Sequence, residues 1–225
     1  MEGTRITFHD NGRIQSMLHY KGDKLQGHCQ WWHANGALAR ESTYNAGLAC
    51  FLTRVWDEDR RIMYAEAYHA DNVGYTRISY HEDGAPHKEK NYRIVEGLPR
   101  MIGQQRAWWG NGRVRYICHR GADGMNNGPS VQFYNTGTKK AEYNWVGGVL
   151  QGNFTTYYTC GKKHMEGSFA VGELHGKYVE WAADGGLVRH ASFWNGVEIT
   201  VHYDAYAPSS GESSLYGSPM AMGIC

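Results

Sequence analysis

The sequence predicts an all-β chain, an elongated single-sheet β-meander of about eight consecutive hairpins. Three observations predict it. A turn position recurs at Gly12, Gly36, Arg60, Gly84, Gly112, Gly137, Gly161 and Gly185, with spacings of 24, 24, 24, 28, 25, 24 and 24 residues. Four residues before each turn stands an aromatic: Phe8, Trp32, Trp56, Tyr80, Trp108, Phe133, Tyr157 and Trp181. Eight residues after it stands another, at Tyr20, Tyr44, Tyr68, Tyr92, Trp145, Phe169 and Phe193, with Arg120 the exception. Aromatics are only 13% of the chain, so an unbroken row at one phase marks a true repeat.

Each unit reads as a hairpin. The turns Asn11-Gly12, Asn35-Gly36, Asp83-Gly84, Asn111-Gly112 and Asp184-Gly185 carry the residues that reach positive φ most easily. Nine residues before the turn a second glycine recurs at Gly3, Gly27, Gly103, Gly128, Gly152 and Gly176, with Phe51 and Tyr75 as exceptions. A two-residue loop sets that glycine opposite the aromatic at plus eight, where the ring can fold over it. A loop with a bulge would shift the register by one and exchange the faces.

The pattern resembles the MORN repeat family, and most closely its MORN-variant, antitoxin-like form. The residues that carry the resemblance are Trp31-Trp32-His33-Ala34-Asn35-Gly36 followed by Tyr44 and Gly47. Later copies are Trp108-Trp109-Gly110-Asn111-Gly112 and Tyr157-Tyr158-Thr159-Cys160-Gly161. The resemblance implies consecutive MORN-like hairpins over residues 1–202, followed by a Pro/Ser/Gly-rich tail over 203–225. It implies proteins or membranes as partners. The third unit departs from the pattern, because Asp57-Glu58-Asp59-Arg60 replaces the Asn-Gly turn. A second departure is the four-residue excess around Arg93–Ile102, expected to extend a hairpin loop beyond the sheet. In the tail, Tyr206, Leu215, Tyr216, Met220 and Met222 are candidates to cap the last hairpin.

Composition bounds the function. Gly is 29 of 225 residues, and Tyr and Trp number 16 and 8, which suits aromatic ladders more than a thick aliphatic core. No apolar run approaches the length of a membrane span, and Met1 opens directly into a polar strand. Cys29, Cys50, Cys118, Cys160 and Cys225 share neither a motif nor a phase, which reads as reduced thiols in a cytoplasmic protein. The net charge of +1 hides segregation. Residues 86–120 hold eight Lys or Arg against two Glu, while 57–83 hold seven acids against three bases. That block could steer a charged partner. The overall balance argues against nucleic acid, and a membrane surface is the less favoured partner because no polybasic run is present.

No motif for nucleophilic, metal-assisted or phosphate chemistry is present, so no catalytic residue and no cofactor is expected. His9, His33 and His81 share one phase, three residues before the turn, but repeats on a sheet lie ~10 Å apart. One metal ion needs ligand atoms at ~2 Å, so none is expected. The same row continues as Asp57, Trp109, Tyr134 and Tyr158. It is either a structural ladder or a binding stripe. On the second reading the protein-binding residues are Trp109, Tyr134 and Tyr158, with Arg106, Arg113 and Arg115 at the rim. The expected function is non-catalytic binding of another protein, antitoxin-like or inhibitory. The alternative is a scaffold at a membrane or organelle.

Overall fold

A computed structural model describes residues 2–71 and 73–205. The expected capping residues of the tail lie outside the described residues. The described chain is all β, with no helix. It folds as two compact units, one running to Val114 and including Ala122–Gly124, the other comprising Arg115–Gly121 and the chain from Met125 onward.

The first unit holds β1 (Gly3–Phe8), β2 (Ile14–Lys21), β3 (Lys24–Leu25), β4 (Gly27–Trp32), β5 (Leu38–Asn45), β6 (Leu48–Trp56), β7 (Ile62–Tyr68), β8 (Gly74–Tyr80), β9 (Pro86–Val95) and β10 (Leu98–Trp108). The second holds β11 (Val114–Arg120, whose first residue ends the first unit), β12 (Gly128–Phe133), β13 (Lys139–Val146), β14 (Val149–Leu150), β15 (Gly152–Tyr157), β16 (Lys163–Ala170), β17 (Glu173–Leu174), β18 (Gly176–Trp181), β19 (Leu187–Trp194) and β20 (Val197–Asp204). Strands pair antiparallel with their sequence neighbours.

The expected glycine–aromatic pairs all form: Gly3↔Tyr20, Gly27↔Tyr44, Gly128↔Trp145, Gly152↔Phe169 and Gly176↔Phe193. They arise by a different route from a two-residue loop. In the first hairpin the His9 N–H donates to Arg13 O at 2.8 Å, and the Gly12 N–H donates to His9 O at 2.9 Å. This is a three-residue loop closed by a residue at positive φ, here +78° at Gly12. Such a loop shifts the register by one. A bulge then restores it, because Phe8 pairs with Ile14 and Thr7 with Ser16, leaving Gln15 unpaired. The same loop bonding recurs at all eight turns. The same bulge recurs opposite Trp32, Trp56, Tyr80, Phe133, Tyr157 and Trp181.

True two-residue turns join one repeat to the next. Lys21 pairs with Lys24 around Gly22-Asp23, and both turn residues have positive φ. Ala46-Gly47, Glu96-Gly97, Gly147-Gly148, Val171-Gly172 and Asn195-Gly196 repeat this geometry. The second glycine row lies just beyond these turns. Between Tyr20↔Leu25 and Met17↔Gln30 the second strand gains two residues on the first, and Gly27, at φ +77°, occupies that jog. No side chain lies within 4 Å of where a Cβ would stand on Gly3, Gly27 or Gly152, so backbone conformation accounts for the glycine there. The plus-eight rings pack elsewhere. Tyr44 meets Trp31 at 6.2 Å, Phe169 meets Phe154 at 4.7 Å, and Phe193 meets Tyr178 at 5.7 Å.

The four extra residues do not form a projecting loop. Arg93↔Arg100, Ile94↔Pro99 and Val95↔Leu98 continue the ladder to the Glu96-Gly97 turn, so β9 and β10 are longer than their counterparts. The register shift between Met101 and Gln105 is the same two-residue jog that follows the first two-residue turn, so the four extra residues are two in each lengthened strand. The Gln105 amide donates to Ile102 O at 2.8 Å, and the Asn91 amide donates to Gln104 O.

Burial concentrates on small and polar residues that face one another across strands. Cys29, Ser42, Thr53 and Glu66 form one such series in the first unit, through Cys29↔Ser42, Ser42↔Thr53 and Thr53↔Glu66. Ser42 and Thr53 hydroxyls bond at 2.5 Å. Buried Glu66 accepts from Arg77 and from the Tyr68 hydroxyl, which removes the penalty of an unpaired buried charge. In the second unit the buried residues include Ser130, Phe154 and Ala191, which face Tyr143, Gly167 and Tyr178. Phe154 sits on Gly167, where an added Cβ would stand 2.9 Å from the ring and 3.2 Å from Lys177 O.

Gly167→Ala is therefore expected to destabilise the protein by about 1–3 kcal/mol through overpacking. Gly110→Ala, with open space and ordinary φ, should change stability by less than about 0.5 kcal/mol. Urea denaturation of both variants distinguishes them, and equal midpoints would contradict the packing of Phe154 on Gly167.

Candidate functional site

The row three residues before each turn begins every loop, so its side chains stand at the hairpin tips. Four of them reach the next repeat. His9 Nε2 lies 2.8 Å from Trp32 O, and His33 Nε2 lies 2.9 Å from Trp56 O. A carbonyl can only accept, so each imidazole carries its proton on Nε2. In the second unit the Tyr134 hydroxyl donates to Tyr157 O and the Tyr158 hydroxyl to Trp181 O, both at 2.8 Å. The asparagine before the turn glycine adds a second link. Asn11 Nδ2 donates to Ala34 O at 2.7 Å and Asn35 Nδ2 to Glu58 O at 2.8 Å. Its Oδ1 meanwhile accepts from the backbone two residues on.

The third repeat breaks this scheme. Asp57 turns its Oδ1 onto the N–H groups of Asp59 and Arg61, at 3.0 and 2.8 Å, and stays within its own loop. His81 stacks on His87 at 4.3 Å, and its buried Nε2 has no hydrogen-bond partner among the described residues. The longer following repeat accompanies this break.

The bulge residues cover part of the row. Lys140 lies 5.8 Å from the Tyr134 ring, and His164 stacks on Tyr158 at 4.4 Å. Tyr134 and Tyr158 are half-buried and adjacent, since the Tyr134 hydroxyl bonds the residue before Tyr158. Trp109 and Arg113 flank one turn, through a 2.8 Å bond from Trp109 N to Arg113 O, and the Arg113 side chain is exposed. Arg106 is half-buried, 5.7 Å from the Trp108 ring. Arg115 belongs to the second unit and is exposed. The six expected residues thus fall into two sets: Arg106, Trp109 and Arg113 in the first unit, and Arg115, Tyr134 and Tyr158 in the second.

Charges beside Tyr158 are tied together. Glu142 accepts from Lys139 Nζ at 2.7 Å and from the Tyr157 hydroxyl at 2.8 Å. The Lys139 hydrogen bond holds the Glu142 carboxyl below the usual carboxylate range, with a smaller contribution from Tyr157 against the opposing effect of burial. Burial, followed by the Glu142 carboxylate, pushes the Tyr157 hydroxyl up to about 12.

The structure adds a feature absent from the expected site. Two open grooves flank Trp56. One, of about 420 Å³, runs between Trp32 and Trp56 over Gly36, Ala37 and Leu38, with Arg60 beside it. The other, of about 530 Å³, is lined by Arg54, Trp56, Arg60, Arg61, Ile62 and the Glu82–Gly84 turn. The signal for them in the sequence was Arg60, the one residue that interrupts the row of turn glycines. Among the described residues no group of three His, Cys, Asp or Glu side chains is placed to hold a metal ion. Cys29, Cys50 and Cys118 are buried thiols.

Consecutive hairpins tied by side-chain-to-carbonyl bonds define a β-hairpin repeat protein. Residues 1–21 and 25–46 match the MORN repeat variant, so the N-terminal region carries MORN repeat variants. MORN repeats are generally protein-binding and typically non-catalytic. No curated protein matches the chain. Among solved structures, the crystal structure of TcdB2-TccC3-Cdc42 is similar at 12% identity over 85% of this chain, with a TM-score of 0.21. The crystal structure of TcdB2-TccC3 is similar at 11% identity over 84% of this chain, also with a TM-score of 0.21. This chain spans 14% of the length of each. So low a TM-score bears on neither fold nor function.

Two outcomes follow from the ladder. Tyr158→Phe keeps the ring and removes the bond to Trp181 O, leaving that carbonyl without its hydroxyl donor. It should cost about 1 kcal/mol in urea denaturation, and an unchanged midpoint would mean the bond contributes nothing. Because the Glu142 pKa is lowered on folding, its contribution is full above the ordinary carboxylate pKa and is lost as pH falls through the folded value. The stability difference between the native protein and Glu142→Gln should therefore shrink as pH is lowered from 7 into that range. A constant difference would exclude the linkage.

Proposed function

We propose that this chain is a non-catalytic binding protein whose hairpin-tip row contacts another protein. In the first unit Trp109 beside the exposed Arg113, with Arg106 at the rim, carries the reading; in the second unit the row is represented by Tyr134 and Tyr158, with Arg115. Aromatics and arginine are the residue types that dominate interface energetics. The MORN repeat variants of the N-terminal region support a protein partner over a small-molecule substrate. The finer reading is an antitoxin-like or inhibitory role in the cytoplasm, in which the row covers a surface its partner needs. The tyrosine hydroxyls already serve the fold, so on this reading a partner meets the rings and the arginines.

The test uses the full chain as bait in extracts of its native host. The captured partner is then titrated against Trp109→Ala and against the double variant Arg113→Glu/Arg115→Glu, each checked for an unchanged circular dichroism spectrum. Trp109→Ala should cost ~2 kcal/mol of binding free energy. The double variant should slow association, with an effect that fades as salt rises. Binding within about twofold of the parent for both variants would place the functional surface elsewhere. Flotation with anionic liposomes in the absence of protein partners would favour a membrane scaffold instead.

A further inference from the structure

Every hairpin turn places its closing residue at positive φ, between +65° and +100°, and seven of the eight residues are glycine. The eighth is Arg60, at φ +65°. A side chain in that region is strained, and an observed outlier of this kind is grounds for a functional hypothesis. Nothing in the local fold uses the arginine. Its N–H closes the turn to Asp57 O at 3.1 Å, a bond that glycine would also make. Its guanidinium has no ion pair or hydrogen bond among the described residues. The neighbouring arginines are engaged: Arg54 with Glu41 at 2.8 Å, and Arg61 with Asp59 at 3.1 Å. Asp57, in the same loop, is occupied by two backbone N–H groups.

Arg60 is also the residue shared, with Trp56, by both grooves. The smaller groove is lined by two indoles, by Gly36, Ala37 and Leu38, and by Arg60 as its one charged residue. About 420 Å³ is room for one or two side chains. We propose that this is a second protein-binding site, which takes a peptide segment carrying an Asp or Glu next to an apolar or proline side chain. The apolar side chain enters between Trp32 and Trp56. The carboxylate meets Arg60 in a fork of two N–H donors, the pairing that guanidinium geometry favours. Glu82 and Asp83, on the far wall of the larger groove, restrict the segment to a single acidic residue at this point, since a run of acids would meet like charge.

The site is separate from the hairpin-tip ladder, and it can be tested without knowing the natural partner. The probe is a displayed library of random peptides of about twelve residues, ~40 Å when extended, selected on the full chain. Selection should enrich an Asp or Glu adjacent to Pro, Leu or an aromatic. One enriched peptide is then titrated by tryptophan fluorescence against the parent, Arg60→Gly and Val171→Gly. Val171 also sits in the left-handed region, at φ +53° and 80% exposed, but lines neither groove. Both glycine variants should unfold at higher denaturant than the parent, because each relieves the same backbone strain. Only Arg60→Gly should weaken the peptide, by about tenfold or more. Trp109→Ala should leave it unchanged, which keeps failure here distinct from failure of the ladder reading. Three results would overturn the proposal: no acidic enrichment, an Arg60→Gly affinity within about twofold of the parent, or an Arg60→Gly protein less stable than the parent.

Discussion

Backbone register is the constraint on which the rest of this fold depends. A three-residue loop costs each hairpin one residue of register, and a one-residue shift would move every side chain to the other face. The bulge beyond the loop cancels the shift, and Phe8 and six of its equivalents form the last pair between that correction and the loop. The jog at Gly27 offsets the second strand by two residues, which leaves the faces unchanged. The three-residue loop and the jog each need a residue at positive φ, which is why glycine recurs in two rows rather than one. The aromatic rows follow from this, because rings can recur at one phase only if the phase is reset in every repeat.

Side chains at the hairpin tips convert that register into a repeat. His9, His33, Tyr134 and Tyr158 differ in chemistry yet perform one task, donating a proton to the carbonyl one repeat on. Imidazole and phenol share a ring of suitable reach with a donor at its far end. The structural and binding readings of this row are therefore compatible. The polar end of each ring holds the next hairpin, while its face is left for the bulge residue or a partner. In these four repeats the row exchanges His for Tyr and keeps the distal donor, while Asp57 shows that it also accepts a residue bonded within its own loop.

Hairpin number, turn positions and glycine–aromatic pairing were legible in the sequence because each is set by residues within one repeat. The route to the register was not. Asn11-Gly12 reads equally well as a two-residue or a three-residue turn, and only the bond from Gly12 N to His9 O decides it. The Val171-Gly172 turn was hidden because valine disfavours the conformation it adopts there. Arg93–Ile102 looked like a loop because it exceeds the period, yet its residues extend two strands. Of the candidate site, the residue types were legible and their prior commitments were not. Nothing in the sequence indicates that the hydroxyl of Tyr158 is spent on Trp181 O, or that the grooves beside Trp56 meet at Arg60.

The third repeat shows how the fold tolerates its own exceptions. Phe51 and Arg60 occupy positions where glycine is the rule in both rows, at φ +60° and +65°. In a repeat protein each unit contacts only its neighbours, so such strain stays local and must be offset locally. The neighbourhood is suited to that. Thr53 and Ser42 share a buried hydrogen bond, and Glu66 is held by Arg77 and Tyr68. Arg77 in turn lies 4.7 Å from the Tyr64 ring and within 6 Å of Tyr75 and Tyr92. This cross-strand cluster sits at the middle of the strands, away from the turn, and fixes β6, β7 and β8 without help from the loop. With the strands secured in this way, the turn at Arg60 is released from the demand for the least strained residue, and selection can act there on what the side chain presents to solvent.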